Sequence, residues 1–257
     1  MSEEADDKML KANIDIPADV SREAMHLLTR LIGPVADITD VLSDRIRFHR
    51  WKTALRVVER ASVLAGERNR ELSPVELKFL VPFIEEASLE AEDSELNEKW
   101  ANLLVTAGTY TGVNYKWCVE CLSAIDAWQA RLLDTLACGK HQEDFFRPDG
   151  FTFRHSEQDF VGFVQGLEVC DESKLVEAVE AFGGYNLFFH NDDIPNTNEF
   201  SLYGVPEGAS LLHLESLGLV TVNSASFINH GKRHFLLNVR LMPLGYEFVA
   251  ACRGDED

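Results

Sequence analysis

Residues 71–108 read ELSPVELKFLVPFIEEASLEAEDSELNEKWANLLVTAG, and their pattern decides the fold. Val75, Phe79, Leu80, Phe83, Ile84 and Ala87 recur at intervals that place apolar side chains on one helical face. Ser73 is placed to cap that helix, Pro74 to fill its first position and Glu76 to close an S-x-x-E capping box. Pro82 falls inside the pattern, where its missing N–H and crowded ring predict a kink. Beyond an acidic surface segment, Leu96, Trp100, Leu103, Leu104 and Ala107 mark a second helix that ends at Gly108.

Working outward, Val20, Ala24, Leu27, Leu28, Leu31 and Ile32 form an earlier apolar face, interrupted by Gly33-Pro34. A long helix is predicted over residues 34–66, with Val35, Ile38, Val41, Leu42, Ile46, His49, Leu55, Val58 and Ala61 along its buried stripe. Its second half carries Arg45, Arg47, Arg50, Lys52, Arg56 and Arg60 against only Asp44 and Glu59. Arg45, Arg47, Arg50, Lys52 and Arg56 are the candidate interaction residues. They suit an acidic partner, nucleic-acid phosphates or an anionic membrane surface. Packing beside Glu85–Glu98, which holds seven acids and no basic residue before Lys99, would use the same charges without a ligand. We favour that plainer reading.

The run 109–122 contains Cys118-Val119-Glu120-Cys121. A C-x-x-C can be redox-active or half of a zinc site, but no second pair and no H-x-x-x-H accompanies it. Both cysteines lie in an apolar run entering a helix, so packing is the expected role. From Ser123 the character changes. Ser123 and Asp126 precede a helix, AWQARLLDTLACG, that ends at Gly139, and HQEDFFRPDGFTFRH reads as loop and short strand with an Arg-Pro-Asp-Gly turn. Helices are expected at 157–165 and 174–182, the second stopped by Gly183-Gly184, then a turn-rich connection over 186–200. Pro206–Gly218 is read as a helix with Leu211, Leu212, Leu214 and Leu217. Strands at Leu219–Asn223 and Phe235–Leu241, joined by a turn around Asn229–Lys232, and a last helix at Pro243–Ala251 with Leu244, Phe248 and Val249, complete the pattern. Helix, hairpin and helix in this order resemble a winged helix, with Val220, Val222, Leu237 and Val239 facing the leucines.

The chain of 257 residues is long enough for two modest domains with real cores, and its net charge is −19. Residues 17–70 carry +3, whereas residues 71–122 carry −7 and residues 123–252 carry −10. Such a balance repels a phosphate backbone over most of the surface. A DNA-reading helix needs Lys, Arg, Asn or Gln toward the bases, and residues 206–217 have none of them. No apolar run approaches the ~18–20 residues that span a bilayer. The acidic N-terminus lacks the apolar segment of a signal peptide, and five cysteines without a paired framework suit a cytoplasmic location.

Catalytic motifs are missing: G-x-S-x-G, H-E-x-x-H, a P-loop and G-x-G-x-x-G find no credible context. His230 and His234 are the tightest histidine pair and are read as exposed in a turn; Asp192-Asp193 and the glutamates at 85–98 are read as solvated charge. No enzyme, cofactor or metal is expected.

Several stretches together resemble the Abi-alpha family, a bacterial group associated with abortive infection. They are LSPVELKFLVPFIEEASLE (72–90), AEDSELNEKWANLL (91–104), LIGPVADITDVLSDRIRFHRWKTALRVVERA (31–61), LLHLESLGLVTV (211–222) and LMPLGYEFVAAC (241–252). The resemblance covers most of residues 20–252. Its motifs are packing motifs, so it implies fold and biological role and supplies no active-site residues.

The expected fold is mainly α: an acidic flexible N-terminus at 1–16, a helical bundle-like domain at 17–122, a winged-helix-like α+β domain at 123–252 and an acidic tail at 253–257. The expected function is that of a non-enzymatic anti-phage protein, a sensor, scaffold or effector working through protein–protein interaction. Its partner would be a host, phage or neighbouring defence protein, with a homo-oligomer allowed and nucleic acid and peripheral membrane contact disfavoured. The alternative is a winged-helix transcriptional regulator that binds DNA. An enzyme with a site assembled from distant residues ranks third.

Overall fold

The computed structural model describes residues 26–28, 30–31, 48–138, 152–190 and 207–254. They are mostly helical with a small three-stranded antiparallel sheet, and they divide into two compact units. One unit holds the residues up to Ala127 together with those from Ala250; the other is Trp128–Val249.

In the first unit, residues 26–28 and 30–31 are helical and Leu27, Leu28 and Leu31 are buried. The helix α1 (Phe48–Glu67) follows the expected stripe through Leu55, Val58 and Ala61. Its predicted first half, with Val35, Ile38, Val41, Leu42 and Ile46, lies outside the described residues, as do Val20, Ala24, Ile32 and Gly33-Pro34. The helix α2 (Leu77–Ala87) buries Phe79, Leu80, Phe83, Ile84 and Ala87, with Pro82 inside it. It starts three residues later than its apparent capping box. Glu76 is the N-cap, and no side chain caps it. The N–H of Ser73 instead donates to the carbonyl of Gly108 at 2.8 Å, and that of Val75 to Leu31 at 3.1 Å. Those long-range bonds hold residues 73–75 out of the helix.

The helix α3 (Leu96–Thr109) packs along α1 and is buried around most of its circumference, with Trp100, Leu103 and Leu104 fully enclosed. Gly108 lies within it rather than ending it. A Cβ there would stand 3.2 Å from Leu72 Cδ2, so the glycine makes room for Leu72. The helix α4 (Tyr115–Ala124) packs along α2, its Asn114 cap accepting from the Trp117 N–H. The chain's last turn returns here: Thr106 Oγ1 donates to Ala251 O at 3.0 Å.

The second unit opens in α5 (Ala127–Ala137), whose expected stop at Gly139 lies outside the described residues, as does the Arg147–Gly150 turn. The helix α6 (Thr152–Glu168) begins earlier than predicted and takes in residues 152–155, expected as loop and strand. The two phenylalanines of FTFRH alternate like a strand, but five residues are too few to separate the two periods. A 3-10 turn at Glu172–Lys174 leads into α7 (Leu175–Ala181). The strand β1 (Tyr185–His190) then replaces the first part of the expected turn-rich connection; residues 191–206, with Asp192-Asp193, lie outside the described residues. Gly184, at φ +96°, allows the entry to β1, and a Cβ there would stand 2.6 Å from Val239 O.

The helix α8 (Gly208–Ser216) buries Leu211 and Leu214, while Leu212 and Leu217 are half-buried. The hairpin is longer than the sequence pattern indicates: β2 (Val220–Asn229) and β3 (Lys232–Leu241) pair without interruption, turning on His230 (φ 48°) and Gly231 (φ 77°). Two left-handed residues form the tight turn whose twist matches the strands. The sheet order is β1-β3-β2, so β3 is central and buried on both faces from His234 to Val239. Of the expected inward residues, Val220, Leu237 and Val239 are buried and Val222 is half-buried. On one face, Phe227 and Leu236 meet Phe160 and Leu167 of α6 and Leu175 and Val179 of α7. The last helix, α9 (Pro243–Arg253), buries Phe248 and Val249 and leaves Leu244 49 % exposed.

Candidate functional site

The basic surface of α1 is met by acids of its own chain. Asn97, in the first turn of α3, donates through Nδ2 to the carbonyls of Ala91 (2.9 Å) and Glu92 (3.2 Å), which fixes the loop before that helix. The fixed loop holds Glu92 against α1, where Arg56 approaches it to 2.5 Å and Lys52 to 3.6 Å. One turn along, Arg60 makes a two-pronged pair with Glu98, Nε at 2.8 Å and Nη2 at 2.7 Å. Hydrogen bonds from these guanidinium groups hold Glu98 and Glu92 below the usual carboxylate range, and Glu98 in turn raises Arg60. These are exposed ion pairs, and solvent screening leaves each a minor contributor to stability.

Of the five candidate interaction residues, the structure therefore places Lys52 and Arg56 in one ion-pair cluster. Arg50 stands on α1 without a described side chain, and Arg45 and Arg47 lie outside the described residues. Arg60, outside the candidate set, makes the two-pronged pair with Glu98. Its signal was in the sequence, since Arg56 and Arg60 are four apart and share a face.

The thiols of Cys118 and Cys121 are buried on α4. Burial pushes Cys121 up to about 12, so it holds its proton at neutral pH and is neither a nucleophile nor a ready metal ligand. Cys252 is buried too, whereas Cys138 is exposed. With a thiol-disulfide reagent at pH 8, the folded chain is expected to release one fast equivalent, from exposed Cys138, and a slower one from half-buried Cys170, with Cys138→Ser removing the fast one. Denaturant should expose the buried three. Rapid labelling of Cys118 or Cys121 in the folded chain would contradict this burial. Among the described residues no group of three or more His, Cys, Asp or Glu could hold a metal ion.

The histidine pair is split. His230 is exposed in the turn, but His234 is 1 % exposed, contrary to the reading of both as solvent-facing. Because the turn takes only two residues, the register sets His234 opposite Phe227. Its ring packs 5.4 Å from Phe188 and 5.3 Å from Phe227. Lys232 at the hairpin tip pairs with Glu172, which lowers that carboxyl. Asn229, also buried, donates through Nδ2 to the carbonyls of Leu167 (2.8 Å) and Cys170 (2.7 Å), fastening the hairpin to the end of α6. The helix α8, Gly208–Ser216, contains no Lys, Arg, Asn or Gln. Its carbonyl at Ser210 accepts from Gln129 of α5 at 2.9 Å.

Among the described residues, no helix is long and apolar enough to cross a membrane. No curated protein and no solved structure matches the chain. Residues 49–252 match the family described as Abortive infection alpha, a span reaching from the basic helix through both units to the buried Cys252. The chain belongs to the abortive infection alpha family, and that membership points to an abortive-infection, anti-phage role.

Proposed function

We propose that this is a cytoplasmic, non-enzymatic abortive-infection protein that works through protein–protein contact, with the helix–hairpin–helix unit, read as a winged helix, as its docking module. The family match over residues 49–252 carries the role. The distribution of charge supports the mechanism. Lys232 of the hairpin is engaged by Glu172, α8 lacks base-reading side chains, and residues 123–252 carry −10. Those features disfavour a phosphate backbone and leave protein surfaces as the partners. The order helix, hairpin, helix, with β1 completing the sheet beyond β3, supports the winged-helix reading.

Bacteria carrying the gene are expected to plaque fewer of at least one phage in a varied panel, with infected cells dying before progeny emerge. Equal plaquing with and without the gene across the panel would overturn the role. A transcriptional regulator would instead bind DNA with an affinity that falls steeply as salt rises. Fluorescence anisotropy on mixed duplexes is expected to show no such binding.

A further inference from the structure

We infer that the outer edge of β2, from Ser224 to Ile228, takes up an extended basic peptide segment of another protein as a fourth strand. The inference rests on the protein-partner reading above and adds the site and the partner's chemistry. Among the described residues, β2 has a strand neighbour on one side only, β3. The N–H of Val222 donates to Glu215 Oε1 at 2.9 Å, so it faces away from β3. Backbone groups alternate along a strand, and the N–H and C=O of Ser224, Ser226 and Ile228 therefore face the same open side. Glu215 occupies that side at Val222. Beyond it Ser224 and Ser226 are exposed, and Ile228 is 57 % exposed.

Edge strands are ordinarily blunted by charge, proline or a bulge. Residues 220–229, VTVNSASFIN, contain no charge and no proline, and their register with β3 is unbroken. Beside this edge runs a groove of about 420 Å³, lined by Phe160, Val161, Val164 and Gln165 of α6 and by Asn223, Ser224 and Ala225. Consecutive strand residues point to opposite faces, so three in a row can share a groove only along the strand's edge. Main-chain donors and acceptors that face no strand among the described residues thus lie beside an apolar bed, with Val161 56 % exposed. That combination is the geometry of strand addition: main-chain bonds supply affinity, and alternate side chains filling the bed supply specificity.

Charge selects the occupant. The groove lining is uncharged, Lys232 beyond its far end is paired with Glu172, and Arg233, opposite Ile228, belongs to the sheet face away from α6. The surrounding segment carries −10, which draws a basic segment and repels an acidic one. A second copy would set one chain of −19 against another.

The test uses the full-length chain and a fluorescent synthetic peptide that alternates valine with lysine. A version with glutamate for lysine and a version N-methylated at alternate residues serve as controls. The lysine peptide should bind, and the other two should bind about tenfold or more weaker. Ser226→Pro removes an edge N–H at a place where proline is tolerated, and it should weaken binding by a similar factor with the unfolding midpoint kept. Should Ser226→Pro fail to fold, the N-methylated peptide makes the same subtraction on the wild-type chain. No binding of the lysine peptide, equal binding of the N-methylated one, or undiminished binding by folded Ser226→Pro would overturn the inference. So would sedimentation showing a dimer that Ser226→Pro dissolves, since a second copy would then own the edge. Phage protection without peptide binding would sink this inference alone, whereas peptide binding without protection would sink only the functional reading.

Discussion

Trp100→Ala is expected to lower the unfolding free energy by about 3–5 kcal/mol, as truncations of large buried aromatics do. Trp100 is fully buried in α3 and meets Phe83 of α2 edge-on, with ring centroids 5.5 Å apart at 75°. Phe83 continues to Phe79 at 5.4 Å and Phe79 to Tyr115 at 5.8 Å, so one aromatic chain joins α3, α2 and α4. The indole Nε1 also donates to Glu90 Oε1 at 3.2 Å, tying the acidic connector to the core. Alanine would leave a cavity where α3 meets α2 and release that connector. Denaturant unfolding followed by circular dichroism measures the effect, and a midpoint shift near zero would mean that the indole contributes little to the packing.

Gly245→Ala should destabilise the second unit by about 1–3 kcal/mol or more, the range of overpacked sites. A Cβ on Gly245 would lie 2.1 Å from the carbonyl oxygen of Leu219 and 3.0 Å from Leu219 C, both backbone atoms that cannot rotate aside. The same carbonyl accepts from the Met242 N–H at 2.9 Å, so α9 is seated where β2 begins. The Leu241-Met242-Pro243-Leu244-Gly245 stretch thereby has a physical meaning: proline opens the helix and glycine lets it touch the strand. Thermal unfolding of Gly245→Ala beside Gly218→Ala, whose nearest neighbour stands 4.0 Å away, separates a clash from the strain of a left-handed glycine. A Gly245→Ala midpoint equal to wild type would contradict the contact.

The helices of residues 48–137 were legible because amphipathic spacing survives whatever surrounds it. Their starts were less so. Ser73, Pro74 and Glu76 look like a capping sequence, but the N–H groups of Ser73 and Val75 bond to Gly108 and Leu31, far away in the chain. The strand β1 was hidden for a related reason: six residues with an asparagine and a histidine become a strand by pairing with β3, some fifty residues on. Three aromatics within Tyr185–His190 were the available hint. The burial of His234 follows from a turn of two residues, and a helical or turn-based reading of the four-residue spacing cannot anticipate it.

The candidate interaction site was legible only in pieces. The basic residues of α1 stand out by composition, yet their partners were a choice between an internal and an external surface: proximity to Glu92 depends on the loop that Asn97 holds, and proximity to Glu98 on the packing of α3 along α1. The edge of β2 without a strand neighbour among the described residues could not be read at all. A strand's neighbours are a property of the sheet order, although the uncharged run at 220–229 is plain once that order is known.

The efficiency of plating across a varied phage panel tests the account most directly when wild type, an empty vector and Ser226→Pro are compared at matched protein levels. The account predicts reduced plating with wild type for at least one phage, and plating restored by Ser226→Pro. Equal plating in all three strains for every phage would contradict it.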